Sequence, residues 1–384
     1  MYKIGLIIVG YNRLISIKRL LKSLENAVFS EEEDEVDLIF DIDHSGSDKI
    51  IEFAKAYHWA HGETKLRTYD ERLGLRTHMM ELGYWFDYYD ALVVLEDDIY
   101  VSPYFFDYVK ANVDKYYYDD DICGIALYSI ERNEHEVTLY PISSDYDNFF
   151  MKKPCSWGQI WLKNQWLEFK KWYQKNNSND LNMYDIPECF RRYPETSYLK
   201  YFMTYMVGED KYFSYPYVSY STCFADEGEH AKVSTFFYQT NLMLKKKESY
   251  RLSDFKGGVK YDAYDELIDL ELFLSSKYNI PTTVDFYCEK KKRNRFLLTF
   301  YALDYKIIRS YGMSLKPIEA NVFLDNPGND LFLYDTTITM KNKNKFHKGK
   351  LLLYNFGPLI SDKENIAIVL CEYIKTWIHY HIKK

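Results

Sequence analysis

The first 120 residues alternate short apolar runs with longer stretches in which apolar residues recur at helical spacing. Apolar runs rich in β-branched residues predict buried strands, and the helical spacing predicts amphipathic helices between them. The predicted strands are 4–9, 36–42, 66–69 and 91–95, and the predicted helices are 14–24, 50–57, 77–86 and 104–116. This alternation predicts an α/β fold with a mostly parallel, Rossmann-like sheet and flanking helices.

The rest of the chain follows a less regular pattern. Two helices are predicted among aromatic-rich loops, at 162–172 and 197–206. After the lysine run 245–247 the pattern changes to short strands and turns, with strands predicted at 296–301, 321–324, 331–334 and 350–355 and a helix at 366–379. We therefore predict two domains, residues 1–248 and a smaller C-terminal α+β region at 249–384, whose role the sequence does not indicate.

Composition and charge argue against several classes of protein. The net charge of -8 and the pI of about 5.7 argue against binding to the nucleic-acid backbone. The six cysteines are scattered without a CxxC pair, which argues against a zinc site and a disulfide framework. The first residues do not form a signal peptide, and no apolar run approaches the roughly 20 residues of a spanning helix. We therefore expect a cytoplasmic protein.

Three basic runs leave peripheral membrane contact open. They lie at 245–247, 290–293 and 341–350, where lysines could meet anionic headgroups at the inner face of the membrane. The alternative is that each run forms an ordinary solvated surface, which is the commoner situation for clustered charge.

The most informative feature is a cluster of acids directly after the fourth predicted strand, Glu96, Asp97 and Asp98. Carboxylates crowded at the end of a buried strand repel one another, and a bound cation relieves that repulsion. Carboxylate oxygens suit Mg²⁺ and Mn²⁺, although a solvated acidic turn is the alternative. Asn12 and Asp43 also follow predicted strands, so a parallel sheet would bring them to the same edge as Asp98.

Several stretches, taken in their order and spacing, resemble a known family. They are 9–13, 43–48, 72–76, 95–103, 154–158, 194–198 and 215–230. On these stretches, residues 1–245 resemble the GT-A glycosyltransferases, which combine a Rossmann-like sheet with an acidic metal-binding motif. The likeness is to bacterial family-2-like enzymes and to the N-acetylglucosaminyltransferase I type, in which the motif reads Glu-Asp-Asp.

The resemblance implies a hexosyl- or N-acetylhexosaminyltransferase that moves a sugar from a nucleotide-sugar to a hydroxyl group. It favours a UDP-sugar donor, inversion at the transferred sugar, and a glycan, glycolipid or glycoprotein acceptor. It also implies Mn²⁺ or Mg²⁺ as cofactor, with Asp98 and His230 as metal ligands. A divalent ion on the nucleotide diphosphate stabilises the negative charge that grows on the leaving group.

The same resemblance supplies a set of nucleotide-sugar-binding residues. In it, a carboxylate at position 43 meets the nucleobase. Guanidinium groups match the geometry of phosphate, and a tryptophan could stack on a sugar ring. The set is Asn12, Arg13, Asp43, Arg72, Arg76, Glu96, Asp97, Trp157 and Gly158. The alternatives are ordinary surface charge for Arg72 and Arg76 and core packing for Trp157.

Glu195 is the predicted general base, which would take the proton of the acceptor hydroxyl. Its position before a predicted helix is the one where the resembled enzymes carry a catalytic acid. The alternative is that Glu195 only favours the helix dipole from the first turn. Glu209 and Asp210 are weaker candidates, because they lie in a predicted exposed turn.

Two other functions compete with glycosyl transfer. A nucleotidyltransferase would also use acids after strands, but such proteins open with a glycine-rich phosphate loop, and here the first loop has the single glycine Gly10. A non-catalytic protein that binds carbohydrates or nucleotide-sugars could share the fold, although it would need neither the acidic motif nor Glu195.

Overall fold

The chain divides into two units. The first comprises Met1–Ile130 and Pro141–Asp265, and the second comprises Glu131–Tyr140 and Glu266–Lys384. Residues 249–265 therefore pack with the first unit, and the assignment of a catalytic and an accessory domain stays a prediction. The structure is a computed structural model that describes residues 2–29, 35–135, 137–178, 180–227, 238–344, 348–356, 366–371 and 374–375.

The first unit holds eleven strands among its described residues. They are β1 (Ile4–Gly10), β2 (Asp37–Ile42), β3 (Thr64–Thr68), β4 (Ala91–Glu96), β5 (Ile99–Val101), β6 (Ile122–Ala126), β7 (Asn148–Met151), β8 (Gln159–Leu162), β9 (Tyr212–Pro216), β10 (Ser221–Cys223) and β11 (Lys260–Tyr261). Its helices are α1 (Leu14–Glu25), α2 (Lys49–Ala56), α3 (Leu75–Glu81), α4 (Phe105–Tyr116), α5 (Lys163–Asn176), α6 (Glu188–Arg191) and α7 (Tyr198–Gly208).

Nine of these strands form one sheet, in the order β11-β7-β9-β6-β8-β4-β1-β2-β3. β1 is parallel to β4 and β2, and β2 is parallel to β3. β8 runs antiparallel between β4 and β6. The predicted α/β class, with a mostly parallel sheet and flanking helices, is confirmed.

Helix α1 shows how the sequence pattern builds the flanking layer. Ile17, Leu20 and Leu24 recur at helical spacing and are fully buried, whereas Ile15, outside this stripe, is 84% exposed. Burying each of the three side chains contributes roughly 1.5–3 kcal/mol relative to leaving it in water. The apolar stripe, rather than intrinsic helix propensity, therefore fixes which face of α1 packs.

The eight elements predicted in the first 120 residues are all present, with their ends shifted by a few residues. The predicted helix 77–86 is divided, because α3 ends at Glu81 and a 3-10 helix follows at Leu82–Asp87. The later helices predicted at 162–172 and 197–206 correspond to α5 and α7.

The second unit has its own sheet and core. Its strands are β12 (Thr282–Val284), β13 (Phe296–Thr299), β14 (Tyr305–Tyr311) and β15 (Leu331–Thr339), and its helices are α8 (Ile268–Tyr278), α9 (Ala320–Phe323) and α10 (Lys348–Phe356). The sheet order is β12-β13-β15-β14, and both neighbours of β15 are antiparallel to it. The predicted α+β character of this region is therefore confirmed.

Two predicted strands in the second unit are wrong. The predicted strand 321–324 is the helix α9, where Asn321 accepts hydrogen bonds from two backbone N–H groups and donates to two carbonyls of the preceding loop 314–318. The predicted strand 350–355 belongs to α10, where Asn355 donates to the carbonyl of Leu351. Apolar runs this short fit a strand and a helix turn equally well.

Of the predicted helix 366–379, residues 366–371 and 374–375 are described, and they are helical. The other positions lie outside the described residues. Within the described parts of the chain, no helix combines the length and the apolar character that crossing a membrane requires.

Candidate active site

A cavity of about 190 Å³ lies at the carboxyl ends of three adjacent parallel strands of the first unit. In the register of the sheet, Val9 of β1 is beside Glu96 of β4, and Gly10 is beside Ile42 of β2. The loops that leave these strands therefore start from one edge, as expected for a ligand site in an open α/β sheet. The polar residues lining the cavity are Asn12, Arg13, Asp43, Arg72, His78, Glu96, Asp97, Asp98 and Asp226.

Arg13 is the cation at the centre of the acidic cluster. Its Nη2 donates to Asp97 Oδ1, and its Nε donates to Asp97 Oδ2 at 3.1 Å. Nη1 donates to Asp98 Oδ2 at 3.3 Å and to the carbonyl of Asp226 at 3.1 Å. One guanidinium group thus contacts two carboxylates and a carbonyl, using the forked geometry that arginine provides.

Asp226 reaches the cluster from a distant part of the sequence. β10 pairs antiparallel with β5, and the backbone N–H of Phe224 donates to the carbonyl of Asp98. The Asp226 carboxylate accepts from Arg19 Nη1 at 3.2 Å and from Ser16 at 2.6 Å. A second arginine–carboxylate pair therefore lies beside the first.

Burial makes the acidic cluster costly to ionise. Loss of solvation, with the charges of Asp98 and Asp97 added, raises the pKa of Glu96 to about 8. Burial also raises the pKa of Asp97 to about 6, although the charge and hydrogen bonds of Arg13 act in the opposite direction. The same balance raises the pKa of Asp98. Negative charge in this cavity is therefore only partly neutralised by Arg13.

Asp226 behaves differently from the three acids of the motif. Burial alone would raise its pKa, but the hydrogen bonds from Arg19 and Ser16 outweigh that effect and lower it. Asp226 is therefore a stable anion, and it adds to the negative potential around Asp98.

The residues of the cavity match a hard divalent cation in their chemistry. Carboxylate oxygens from Asp97, Asp98 and Glu96 are the ligand type that Mg²⁺ and Mn²⁺ prefer. Among the described residues, no group of three or more His, Cys, Asp and Glu side chains is already arranged as a metal site. The cation held in this structure is Arg13, and its contact with Asp98 is the longest of its three carboxylate contacts.

Asp43 organises the loop on the opposite wall of the cavity. Its Oδ1 accepts from the backbone N–H groups of His44 and Leu73, both at 2.8 Å, and its Oδ2 accepts from Gly74 at 3.0 Å. Gly74 has φ of 75°, in the left-handed region that glycine adopts without strain. Asp43 therefore fixes the turn that leads into α3, while it also lines the cavity.

Arg72 and Asn12 are two further predicted residues that line the cavity. The guanidinium carbon of Arg72 lies 4.9 Å from the ring centroid of Tyr11. Asn12 is exposed. The structure thus brings together seven of the predicted binding and metal residues, namely Asn12, Arg13, Asp43, Arg72, Glu96, Asp97 and Asp98.

Two polar residues of the cavity, His78 and Asp226, were not predicted from the sequence. His78 lines the cavity, and its Nε2 is 2.8 Å from Asp41 Oδ1. Asp41 is fully buried and also accepts from Trp85 at 2.7 Å and Tyr69 at 2.9 Å. The signal available in the sequence was Asp41, an acidic residue within an apolar run. A buried carboxylate needs hydrogen-bond donors, so its partners could have been sought among nearby polar side chains.

Glu195 lies in a different setting, outside the residues that line this cavity. Its carboxylate accepts from Lys200 Nζ and from Tyr201 Oη, both at 2.5 Å. Lys200 and Tyr201 contribute to lowering the pKa of Glu195, with the Lys200 hydrogen bond as the largest cause. Glu195 also lines a second cavity of about 450 Å³ together with Arg191 and Asn182.

A hydrogen-bonded bridge connects Glu195 with the first cavity. Arg76 Nη1 donates to Tyr201 Oη at 2.8 Å, and Tyr201 donates in turn to Glu195. Arg76 is in the first turn of α3, next to Leu75, which lines the first cavity. Arg76 therefore acts here through Tyr201 and is not among the residues that line the cavity.

Of the three remaining predicted residues, Trp157 and Gly158 are not among the residues that line the first cavity. Trp157 packs against Tyr128, with ring centroids 4.7 Å apart. Gly158 has φ of 89°, and an added Cβ would lie 2.9 Å from Ser221 Oγ. The predicted metal ligand His230 lies outside the described residues.

A protein-family model described as the SPBC1E8.03c C-terminal domain matches residues 15–180, which is less than half of the chain. A comparison with curated proteins finds no match.

Among solved structures, S. aureus TarS 1-349 in complex with UDP-GlcNAc is 16% identical, with a TM-score of 0.37, and the match covers 60% of each chain. The mannosyltransferase PcManGT from Pyrobaculum calidifontis, in complex with GDP-Man and Mn²⁺, is 13% identical, with a TM-score of 0.30 and coverage of 42% of this chain and 45% of that one. GalNAc-T7 with UDP, GalNAc and Mn²⁺ is 13% identical, with a TM-score of 0.37 and coverage of 56% and 42%.

The chain therefore spans 60% or less of the length of these three structures. At such identities and TM-scores the likeness identifies no family. The functional conclusion rests on the geometry of the two cavities.

Proposed function

We propose that the first unit is a GT-A-type glycosyltransferase that depends on a divalent metal. It moves a hexose or an N-acetylhexosamine from a UDP-sugar to a hydroxyl group of a glycan, glycolipid or glycoprotein, with inversion at the transferred sugar. One observation carries the proposal: the acidic motif lines one cavity at the carboxyl edge of the sheet together with four residues from the loops after β1, β2 and β3, namely Asn12, Arg13, Asp43 and Arg72.

The charge of the cavity supports a metal. Five acidic side chains and two guanidinium groups line it, so a nucleotide diphosphate would meet excess negative charge even with Glu96 protonated. A bound Mn²⁺ or Mg²⁺ would offset that charge and stabilise the departing diphosphate. Asp98 is the proposed ligand, with Asp97 and Glu96 beside it, and His230 is proposed as a further ligand.

The remaining groups of the cavity would hold the donor. Arg72 and Arg13 supply guanidinium groups that match the geometry of phosphate oxygens. Asp43 is proposed to meet the nucleobase, and its three backbone hydrogen bonds would keep its orientation fixed during the reaction. Asn12 would contribute a polar contact beside the same pocket.

Glu195 is the proposed base that takes the acceptor proton. Its lowered pKa keeps it ionised at neutral pH, and its side chain is 67% exposed, so an acceptor hydroxyl has access to it. The second cavity offers polar side chains around Glu195 that would suit sugar hydroxyl groups. Tyr201 and Arg76 support this proposal, because they connect the base to the rim of the donor cavity.

The test uses the full chain with a panel of UDP- and GDP-sugars, with Mn²⁺ and with a chelator. We expect one UDP-sugar to raise the Tm in the presence of Mn²⁺. We also expect slow release of UDP in that mixture, which the chelator abolishes.

Other products would contradict the proposal and identify the competing function. Release of pyrophosphate would indicate a nucleotidyltransferase. A raised Tm without any release of nucleoside diphosphate, across a panel of sugar acceptors, would indicate a non-catalytic nucleotide-sugar-binding protein.

A further inference from the structure

The guanidinium group of Arg13 occupies the carboxylates that the proposed metal needs. It holds Asp97 through two hydrogen bonds and Asp98 through one. The Asp97 side chain is only 6% exposed and the Asp98 side chain only 14%, so water has little access to the two ion pairs with Arg13. Arg13 is therefore the counter-cation that makes burial of the cluster tolerable.

A divalent ion at Asp98 would meet Arg13 as a competitor. The proposed ligand Asp98 already accepts a hydrogen bond from Arg13, and the like charges of the two cations repel strongly where little water screens them. Arg13 cannot avoid this conflict by losing its proton, because guanidinium stays charged in proteins. We therefore expect the ion to move the guanidinium group away from Asp98 Oδ2, the oxygen that Arg13 contacts.

We propose that Arg13 is an internal counter-cation that a divalent ion has to displace, so that the ion binds weakly alone and tightly only together with a nucleotide diphosphate. This inference rests on the proposed function, which places both ligands in this cavity. It adds a coupling between the two ligands: the acidic motif binds free metal only weakly until the nucleotide diphosphate is bound.

The diphosphate supplies hydrogen-bond acceptors that replace the carboxylate oxygens displaced from Arg13. Phosphate oxygens accept the same forked hydrogen bonds as a carboxylate, so a displaced guanidinium group regains its partners on the diphosphate. The added negative charge also reduces the repulsion between Arg13 and the ion. Because coupling between ligands is reciprocal, metal and diphosphate should strengthen each other's binding by the same factor.

The experiment measures Mn²⁺ binding to the full chain by electron paramagnetic resonance, which counts free ion and requires no turnover. Titrations are run with and without UDP on the wild type and on Arg13→Gln. We expect UDP to tighten Mn²⁺ binding to the wild type by about tenfold or more. In Arg13→Gln we expect Mn²⁺ alone to bind about tenfold more tightly, and the enhancement by UDP to shrink accordingly.

Arg19→Gln is the matched control. It removes the same charge from the neighbouring pair with Asp226 and touches neither Asp97 nor Asp98. We expect its Mn²⁺ affinity without UDP to change by much less than in Arg13→Gln. Equal gains in both variants would show a general charge effect and would overturn the specific role of Arg13.

A second variant guards against misfolding, because Arg13→Gln leaves Asp97 buried without its partner. Arg13→Lys keeps the charge, but a single ammonium makes fewer contacts than the fork and is easier to displace. We expect its affinity for Mn²⁺ alone to lie between those of the wild type and Arg13→Gln. An affinity equal to that of the wild type would overturn the inference.

The failure of this inference differs from the failure of the proposed function. If Mn²⁺ and UDP bind together in all variants with the same enhancement, Arg13 is not the competitor, and the metal site stands. If Mn²⁺ does not bind the wild type even at saturating UDP, the metal-dependent function and this inference are both rejected.

Discussion

Two ion pairs of the first unit show that burial decides whether the pKa of a paired carboxylate is raised or lowered. Arg13 pairs with Asp97, whose side chain is 6% exposed, and Lys200 pairs with Glu195, whose side chain is 67% exposed. The pKa of Asp97 is raised to about 6 in spite of its arginine, because desolvation is the largest effect. The pKa of Glu195 is lowered, because water still solvates the carboxylate and the hydrogen bonds prevail.

This difference separates two kinds of chemistry. Arg13 neutralises only part of the negative charge of the buried cluster. The cluster therefore suits a bound cation, and the cation in turn allows an anion to bind beside it. Glu195 is ionised at neutral pH and open to a substrate, which suits proton acceptance, although a lowered pKa makes it a weaker base. Substitutions of Asp98 in the buried cluster and of Glu195 in the exposed ion pair should therefore have different effects.

The largest effect is expected from Asp98→Asn, which removes a carboxylate from the buried acidic cluster. The amide cannot supply the charge that the proposed metal requires, so turnover should fall by about a thousandfold or more. The measurement is UDP release at saturating Mn²⁺, with thermal unfolding to show that the fold is kept. Asp48→Asn, at an exposed position, is the control. Unchanged turnover in Asp98→Asn would rule out the metal role.

Glu195→Gln removes the carboxylate of the exposed ion pair. It should lower turnover by about a hundredfold or more, because the amide cannot accept the proton. Donor binding should be kept, since Glu195 is not among the residues that line the donor cavity. Calorimetric titration with the nucleotide-sugar separates the two quantities. If binding falls as much as turnover, Glu195 has a structural role. Glu188→Gln, an exposed acid in α6, serves as the control.

Tyr201→Phe should have a moderate effect, because it removes the bridge between Glu195 and Arg76 and leaves both side chains in place. Loss of a donor to the carboxylate raises the pKa of Glu195, since Tyr201 contributes to lowering it. The acidic limb of the pH profile of kcat/KM should therefore move to higher pH. We also expect about a tenfold loss of kcat at neutral pH, because Glu195 loses the hydrogen bond from Tyr201 that helps to hold its orientation. An unshifted limb would contradict the coupling. Tyr173→Phe, which removes a hydroxyl from the ring packed against Tyr201, is the control.

Much of the buried region could be predicted because its residues follow strands that have strong local patterns. The strand ends after 9, 42 and 95 are visible in the sequence, and a parallel sheet brings them to one edge. Arg13 was predicted to bind the donor, but its contact with the acidic motif depends on the three-dimensional spacing of β1 and β4.

The parts that could not be predicted depend on distant pairing or on short ambiguous runs. Asp226 reaches Asp98 through the pairing of β5 with β10, more than 100 residues apart in sequence, and no local pattern encodes that contact. The Tyr201 bridge likewise joins α3 to α7. In the second unit, the segments at α9 and α10 were predicted as strands because short apolar runs do not distinguish the two structures.

The smallest effect is expected from Asp43→Asn, at a second carboxylate of the donor cavity. Asp43 lines the same cavity as Asp98, yet its oxygens accept from three backbone N–H groups and hold a loop. The amide keeps one acceptor oxygen and replaces the other with a donor facing a backbone N–H. The free energy of unfolding should therefore fall by about 1–3 kcal/mol. Turnover at saturating donor should change only a few-fold.

The donor affinity of this variant decides whether Asp43 also reads the nucleobase. If the proposed contact with the imide of uracil exists, the affinity for UDP should fall while the affinity for a nucleoside diphosphate without that donor changes little. Chemical denaturation gives the stability, and calorimetry with the two nucleotides gives the ratio. Equal losses for both nucleotides would assign Asp43 to the loop alone, because a disordered turn beside Arg72 weakens every donor in the same way.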